Sequence, residues 1–326
     1  MSFPGLGYSG APRLRTVPRS NPSASGITSR SGMPPRRQLL TLAAGVLAPA
    51  VRAAPAPRLI RLPYHEQYED PQRLYVARVI ELAMRHAGVP ARVEHVNMEI
   101  AQRRSLAELA RGASPFDLLW TMTDRQRETS GLLPVRIPID RGLMGWRVPV
   151  VRRADLPRWR EVRSLAALQA FTAGQGMDWP DTAILRANGL KVETSTGPDT
   201  LYRMLANGRF DYFPRSVLEV DIELAARREA PLALVPDLLL RYPAAAYLFV
   251  APQQKELAEQ LERGLNAAIR DGSFQRLHAQ HYLPTIRKYL TPQLRVIGLQ
   301  NPLLPPQTPL GRKELWMAHD ANLPRP

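Results

Sequence analysis

Apolar and polar positions in the first third of the chain beyond residue 57 recur with two alternating periods. LIRLPY at 59–64 and ARVEHV at 91–96 read as strands, and FDLLWTM at 116–122 is a compact apolar strand with a single acid, Asp117. Between the first two, Leu74, Ala77, Ile80 and Leu82 share one face of a helix. Asp70-Pro71 cap it, with the proline at the first helical position, and Gly88 ends it. A second helix at 105–111 stops at Gly112. Strand–helix–strand–helix–strand in this rhythm predicts a mostly parallel sheet covered by helices, whose ligands bind at the carboxyl ends of the strands.

A second α/β half follows. Helices are expected at 164–171, at 199–207 ahead of Gly208, and over 253–270, where Leu257, Leu261, Leu265 and Ile269 repeat at every fourth residue. Another helix follows Asp181 or Thr182 as its cap and ends at Asn188-Gly189. Strands are expected at 191–193, 210–213, 232–235 and 244–250, with Pro214-Arg215-Ser216 at the end of the second of these. Beyond Tyr282 the pattern becomes irregular and proline-rich, so the tail is expected to wrap a lobe or fray.

Between the halves, residues 131–153 form two short extended runs, 135–139 and 143–151, separated by Asp140-Arg141-Gly142. Pro134, Pro138 and Pro149 keep these runs from being central ladder strands throughout. The stretch is read as a hinge between two lobes that close on a ligand.

The ends of the chain are built differently. Residues 1–32 are rich in Ser, Gly, Pro and Arg without periodicity and cannot bury enough apolar surface to fold. Residues 33–56 then run from charged (Arg36, Arg37) through apolar (39–47) to small residues at 51–56, the order of a secretory signal peptide. The apolar run is too short for a permanent bilayer span. Met33 is read as the start, and Arg36-Arg37 leaves both Sec and twin-arginine (Tat) export open. The expected organisation is an extension at 1–32, a signal peptide at 33–56, a first lobe at 57–140 and a second lobe at 141–240. A return to the first lobe at 241–290 and an irregular tail at 291–326 complete it. The expected location is the periplasm.

Charge changes this picture little. The net charge is +15, yet seven arginines lie in residues 1–57 without an acid among them. Elsewhere bases and acids interleave, as in Arg160-Glu161 and the stretch from Glu256 to Arg263, which is the habit of solvated helix faces. Nucleic acid is therefore not an expected partner. There is no cysteine, which excludes disulfides, thiolate metal sites, a cysteine nucleophile and a lipid-anchored cysteine.

Two loops carry the candidate chemistry. Thr121, Thr123, Arg125 and Arg127 follow the third strand directly, with hydroxyls and guanidiniums where a carboxylate or phosphate could be held. In the second half, Gly174-Gln175-Gly176 feeds a helix start and offers backbone N–H groups to an anion, with Trp179 beside it. It is not a phosphate-binding P-loop, since no Gly-Lys-Ser/Thr follows. Catalytic motifs are missing. His278-x-x-His281 has helical ligand spacing but no acid to complete a zinc set and is read as surface helix. No G-x-S-x-G elbow occurs. Glu219, Asp221 and Glu223 lie close in sequence, but paired-carboxylate chemistry needs a set distance across a cleft.

Four stretches together resemble solute-binding protein family 3 of ABC transporters. They are the segment from Asp117 through Thr123 to Glu128, the crossing after it, Leu205-Ala-Asn-Gly-Arg-Phe-Asp-Tyr, and Ala267-Ala-Ile-Arg-Asp-Gly-Ser-Phe-Gln-Arg-Leu. The resemblance covers about residues 59–282. It implies an α/β, two-lobed type II periplasmic-binding-protein fold with a hinge between lobes; with no catalytic motif in the sequence, neither catalysis nor a cofactor is expected. The arginine that holds the ligand's carboxylate in that family carries over to Arg127 or Arg125. Its ammonium-binding aspartate has no counterpart; Pro214-Arg215 stands in that neighbourhood. Exchanging a carboxylate for a guanidinium there would favour an anion over a zwitterionic amino acid. The expected ligand-binding residues are Thr121, Thr123, Arg125, Arg127, Gln175, Trp179 and Arg215. The expected protein is a monomer that captures a small solute for an ABC permease. The alternative is a ligand-sensing domain acting through a separate membrane receptor.

Overall fold

The computed structural model describes residues 56–64, 72–98 and 102–317. Asp70, Pro71, the extension and the signal-peptide segment lie outside them. The first lobe opens with β1 (Arg58–Tyr64), α1 (Arg73–His86), β2 (Ala91–Asn97), α2 (Gln102–Ala110), β3 (Leu118–Met122), α3 (Arg125–Glu128) and β4 (Leu133–Val135). Residues 136–145 cross to the second lobe. There lie β5 (Trp146–Arg152), α4 (Leu165–Leu168), β6 (Thr172–Gly176), α5 (Pro180–Ala187), β7 (Lys191–Ser195), α6 (Pro198–Ala206), β8 (Tyr212–Ser216), α7 (Val220–Ala225), β9 (Leu232–Leu234) and β10 (Leu238–Arg241). Residues 242–245 cross back to β11 (Ala246–Val250), α8 (Lys255–Arg270) and α9 (Ser273–Tyr289), and β12 (Arg295–Gly298) follows.

The sheets are mixed rather than mostly parallel. In the first lobe β1 and β2 are parallel, but β11 runs antiparallel between β3 and β4. In the second lobe the order is β12-β10-β5-β8-β6-β7, with β9 also on β5; β5 is antiparallel to its neighbours. β5 and β11 are the first strands after the two crossings, and each runs antiparallel to every strand it pairs with.

Helix α1 buries Val76, Val79, Ile80 and Ala83, and α8 buries Leu257, Leu261 and Leu265 against the same core. The two helices touch so closely that a β-carbon on Gly264 would fall 1.8 Å from the Ala83 carbonyl oxygen. The apolar repeat at every fourth residue of α8 is thus its packing face.

Three expectations need correction. The strand expected at 210–213 is β8, displaced to 212–216, so Arg215 lies within the ladder opposite Val148 and not beyond its end. The cap of α5 is neither Asp181 nor Thr182. Trp179 precedes Pro180 at the first helical position, and the Thr182 hydroxyl donates to the Gly176 carbonyl. The chain beyond Tyr282 is ordered in a different way. Helix α9 continues through Pro284 to Tyr289, because Phe274, His278, Tyr282, Ile286 and Tyr289 are buried along it and outweigh the proline's cost of about 3 kcal/mol. After α9 the chain adds β12 to the edge of the second-lobe sheet, parallel to β10.

From β12 the chain runs over both lobes as a strap. Gln300 exchanges two hydrogen bonds with Asn188 at the end of α5, and Asn301 donates to the Pro243 carbonyl in the second crossing. The Leu303 carbonyl accepts from the Arg125 amide of the first lobe, and Arg312 donates to Asn266 of α8. Met317 finally donates its amide to the Arg141 carbonyl in the first crossing.

Candidate functional site between the lobes

The first-lobe residues converge as a consequence of β3 ending where it does. Asp124 caps α3 by accepting from the Arg127 amide at 2.7 Å, which turns the Arg127 side chain back over the strand end. Its Nη1 donates to Thr121 Oγ1 at 2.7 Å and to the Met122 carbonyl at 2.6 Å, and Nη2 donates to Gln102 Oε1 at 2.8 Å. Thr123 is buried and donates to Glu128, which in turn accepts from Arg136. Arg125 is exposed and contributes its backbone to the strap. Of the two carry-over candidates, Arg127 is therefore the buried one. Burial lowers its pKa, opposed by Asp124 and by Asp181 and Asp178 of the second lobe. Asp178 also lies 3.7 Å from Arg103 of α2, a direct ion pair between lobes.

In the second lobe Gln175 is fully buried at the end of β6. Its Oε1 accepts from the Gly176 amide, and its Nε2 has no hydrogen-bond partner among the described residues. Trp179 stacks on Phe213 at 6.5 Å with 16° between planes, and the Arg215 guanidinium lies 5.0 Å from the indole and 4.9 Å from the Phe213 ring. That guanidinium is not free. Glu223 takes it bidentately at 2.8 and 2.6 Å, and Glu219 approaches at 3.0 Å. Burial works against the charge, but Glu219 and Glu223 outweigh it and the Arg215 pKa is raised. Burial also raises the Glu219 carboxyl, whereas in Glu223 it is overcome by Arg215 and the pKa falls.

Arg147 and Asp181 are not among the binding residues expected from the sequence. Arg147 of β5 is 3 % exposed, and its Nη2 lies 2.6 Å from Asp181. Its Nε donates to Tyr242 Oη at 2.9 Å, and Nη1 stands 3.7 Å from Glu219. Tyr242 donates to Asp181 in turn. A signal for this was present: an arginine inside the apolar run WRVPVV must bury its charge and so must find an acid. Glu219 links the two arginine clusters. It and Glu223 therefore serve as arginine partners in the structure.

His278 is likewise not a surface residue. It is buried on α9, bonded to the Asp140 carbonyl at 3.2 Å and packed against Tyr75 and Tyr282. Its neighbours in the fold are aromatic rings, which explains why an apparent ligand spacing faces the core.

No family model matches the chain, and no curated protein does. Solved structures match its fold. An ancestral arginine-binding protein bound to glutamine is similar at 15 % identity, over 70 % of this chain and 99 % of that one, with a TM-score of 0.51. A periplasmic His/Glu/Gln/Arg/opine family-binding protein from Silicibacter pomeroyi, in complex with lysine, shares 12 % identity over 68 % and 96 %, with a TM-score of 0.49. A histidine kinase sensor domain with similarity to periplasmic binding proteins shares 18 % over 76 % and 99 %, with a TM-score of 0.48. At such identities the likeness defines the fold. It is the α/β fold of type II periplasmic binding proteins, as the resemblance to solute-binding protein family 3 led us to expect.

Proposed function

We propose that the chain is an exported solute-binding protein whose lobes close on a small molecule, which it delivers to an ABC-type importer. The observation that carries this reading is the ion pair at 3.7 Å between Asp178 of the second lobe and Arg103 of the first, whose neighbour Gln102 is bonded by the buried Arg127. Residues 136–145 and 242–245 act as the hinge, and closure is favoured because solute gains contacts with both lobes at once. Arg127, with Thr121 beside it, receives an anionic group of the solute, displacing the Gln102 side chain; Gln175 offers its unpaired amide. Thr123 holds the Arg127 helix through Glu128, and Arg125 holds it through Leu303. Trp179 and Arg215 wall the second-lobe side. Since Arg215 is bound by two acids, the preference for an anion rests on Arg127 alone.

A second reading, a sensing domain that signals through a separate membrane receptor, is favoured by the strap. A segment bonded to both lobes and exposed along residues 306–307 and 310–311 gives lobe closure an outward readout. The periplasm suits either reading.

The test is thermal stabilisation of the purified protein by a panel of amino acids and organic acids. Ligand at a hundred times its Kd adds about 2.7 kcal/mol. Arg127→Ala should abolish the response. A response that survives in Arg127→Ala would place the solute elsewhere.

A further inference from the structure

The acidic half of the inter-lobe site is built as a seat for a planar cation, and the chain fills it itself. Three oxygen-bearing groups on separate elements surround the three nitrogens of one guanidinium, two at bonding distance and the third as a carboxylate 3.7 Å away. Tyr242 Oη of the second crossing faces Nε, Asp181 of α5 faces Nη2, and Glu219 ahead of α7 faces Nη1. The charge is stabilised there: burial alone would lower the Arg147 pKa, but Asp181, Tyr242 and Glu219 outweigh it. Glu219 is also a partner of Arg215, whose guanidinium lies 5.0 Å from the Trp179 ring. The seat and the proposed solute site therefore share a wall.

We propose that Arg147 is a specificity-determining residue that occupies this cation seat from within and so excludes solutes carrying a guanidinium or ammonium side chain. The inference rests on the solute-binding reading above. A cationic side chain entering the site would meet the Arg147 charge in a buried setting where its natural counter-ions are already engaged. Removing Arg147 leaves Asp181 with Tyr242 alone and Glu219 with Arg215 alone around a space of guanidinium shape, which a solute of matching chemistry can fill while Arg127 holds its carboxylate.

The experiment compares wild type, Arg147→Ala and Arg147→Gln for thermal stabilisation by L-arginine, methylguanidinium and a panel of neutral and acidic amino acids. The glutamine variant keeps a donor in the seat and serves if the alanine variant does not fold. L-arginine should act on the variants at concentrations at least about tenfold below those needed for wild type, a gain of about 1.4 kcal/mol. It should also act more strongly than methylguanidinium, and that advantage should vanish when Arg127→Ala is added. A purely structural arginine would give equal rescue by L-arginine and methylguanidinium, and that result would overturn the proposal. So would wild type binding L-arginine as tightly as the variants, or panel amino acids binding all three proteins with no change toward L-arginine; the solute-binding reading would then stand. If no amino acid or organic acid stabilises any of the proteins, the solute-binding reading fails and the specificity role falls with it.

Discussion

Gly145 and Tyr242 hold the two inter-lobe crossings against each other. The Tyr242 amide donates to the Gly145 carbonyl at 3.2 Å, and a β-carbon on residue 145 would fall 2.1 Å from the Tyr242 carbonyl oxygen. The glycine is required here for close approach of two backbones. Tyr242 also carries the hydroxyl that meets Arg147 and Asp181. The spacing of the crossings and the geometry of the acidic seat are therefore one structural problem.

Gly145→Ala should force the crossings apart. The obstacle is a backbone carbonyl, which has no rotamer to escape into, so the cost is on the order of 1–3 kcal/mol. In a chain of this size that lowers Tm by about 2–4 °C per kcal/mol. Thermal unfolding checks the loss. Quenching of tyrosine and tryptophan fluorescence should also rise as the seat around Tyr242 loosens. An unchanged Tm would mean that the crossings slide freely.

Glu223→Gln should destabilise the second lobe strongly. It removes the charge of the bidentate partner of a buried guanidinium and leaves Arg215 with Glu219, an acid it shares with Arg147. Breaking one partner of a buried pair costs about 3–5 kcal/mol. Urea unfolding measures it. A loss below about 1 kcal/mol would show that Glu219 alone compensates both arginines.

Two buried groups beside the first crossing should give opposite pH dependences. Burial pushes Asp140 up to about 6 from an ordinary 3.8, so the folded state prefers it neutral. Relative to Asp140→Asn, wild type should lose stability as pH rises from about 4 to about 6. Burial, followed by the nearby Arg141, pushes His278 down to about 3 from 6.5, so the folded state again prefers the neutral form. Relative to His278→Asn, wild type should be unaffected above pH 6.5 and lose stability as pH falls below it. Each slope approaches 1.4 kcal/mol per pH unit inside its window. Urea unfolding of the three proteins at pH 4, 5, 6 and 7 separates them. Parallel curves would show that neither group is desolvated on folding.

How far the site could be read in advance depended on how local its parts are. Thr121, Thr123 and Arg127 can be grouped from the sequence because they lie within seven residues at the end of one strand, and their hydrogen bonds close over the same short span. Gln175 and Trp179 stand out in the sequence only through the glycine-flanked loop that feeds a helix. Arg215 was found as a residue, but its partner was not, because Glu223 looked like one of three carboxylates in a row until α7 folded it back onto β8. Arg147 was hidden in plain view inside a strand. Its partners come from α5, from the segment ahead of α7 and from the second crossing, positions that no spacing rule connects.

The sequence alone determined the alternation of strands and helices, the packing face of α8 and the resemblance that implied the fold. Those features follow from periods of two and of 3.6 residues and from turn-forming residues, which act over a few positions. Only the tertiary structure decided that β5 and β11 run against their neighbours, that β12 returns the tail to the second lobe, and which acid neutralises which arginine. A buried charge is satisfied by whichever counter-charge the fold brings within about 3 Å. That choice is made between residues far apart in the chain, after the local elements have formed.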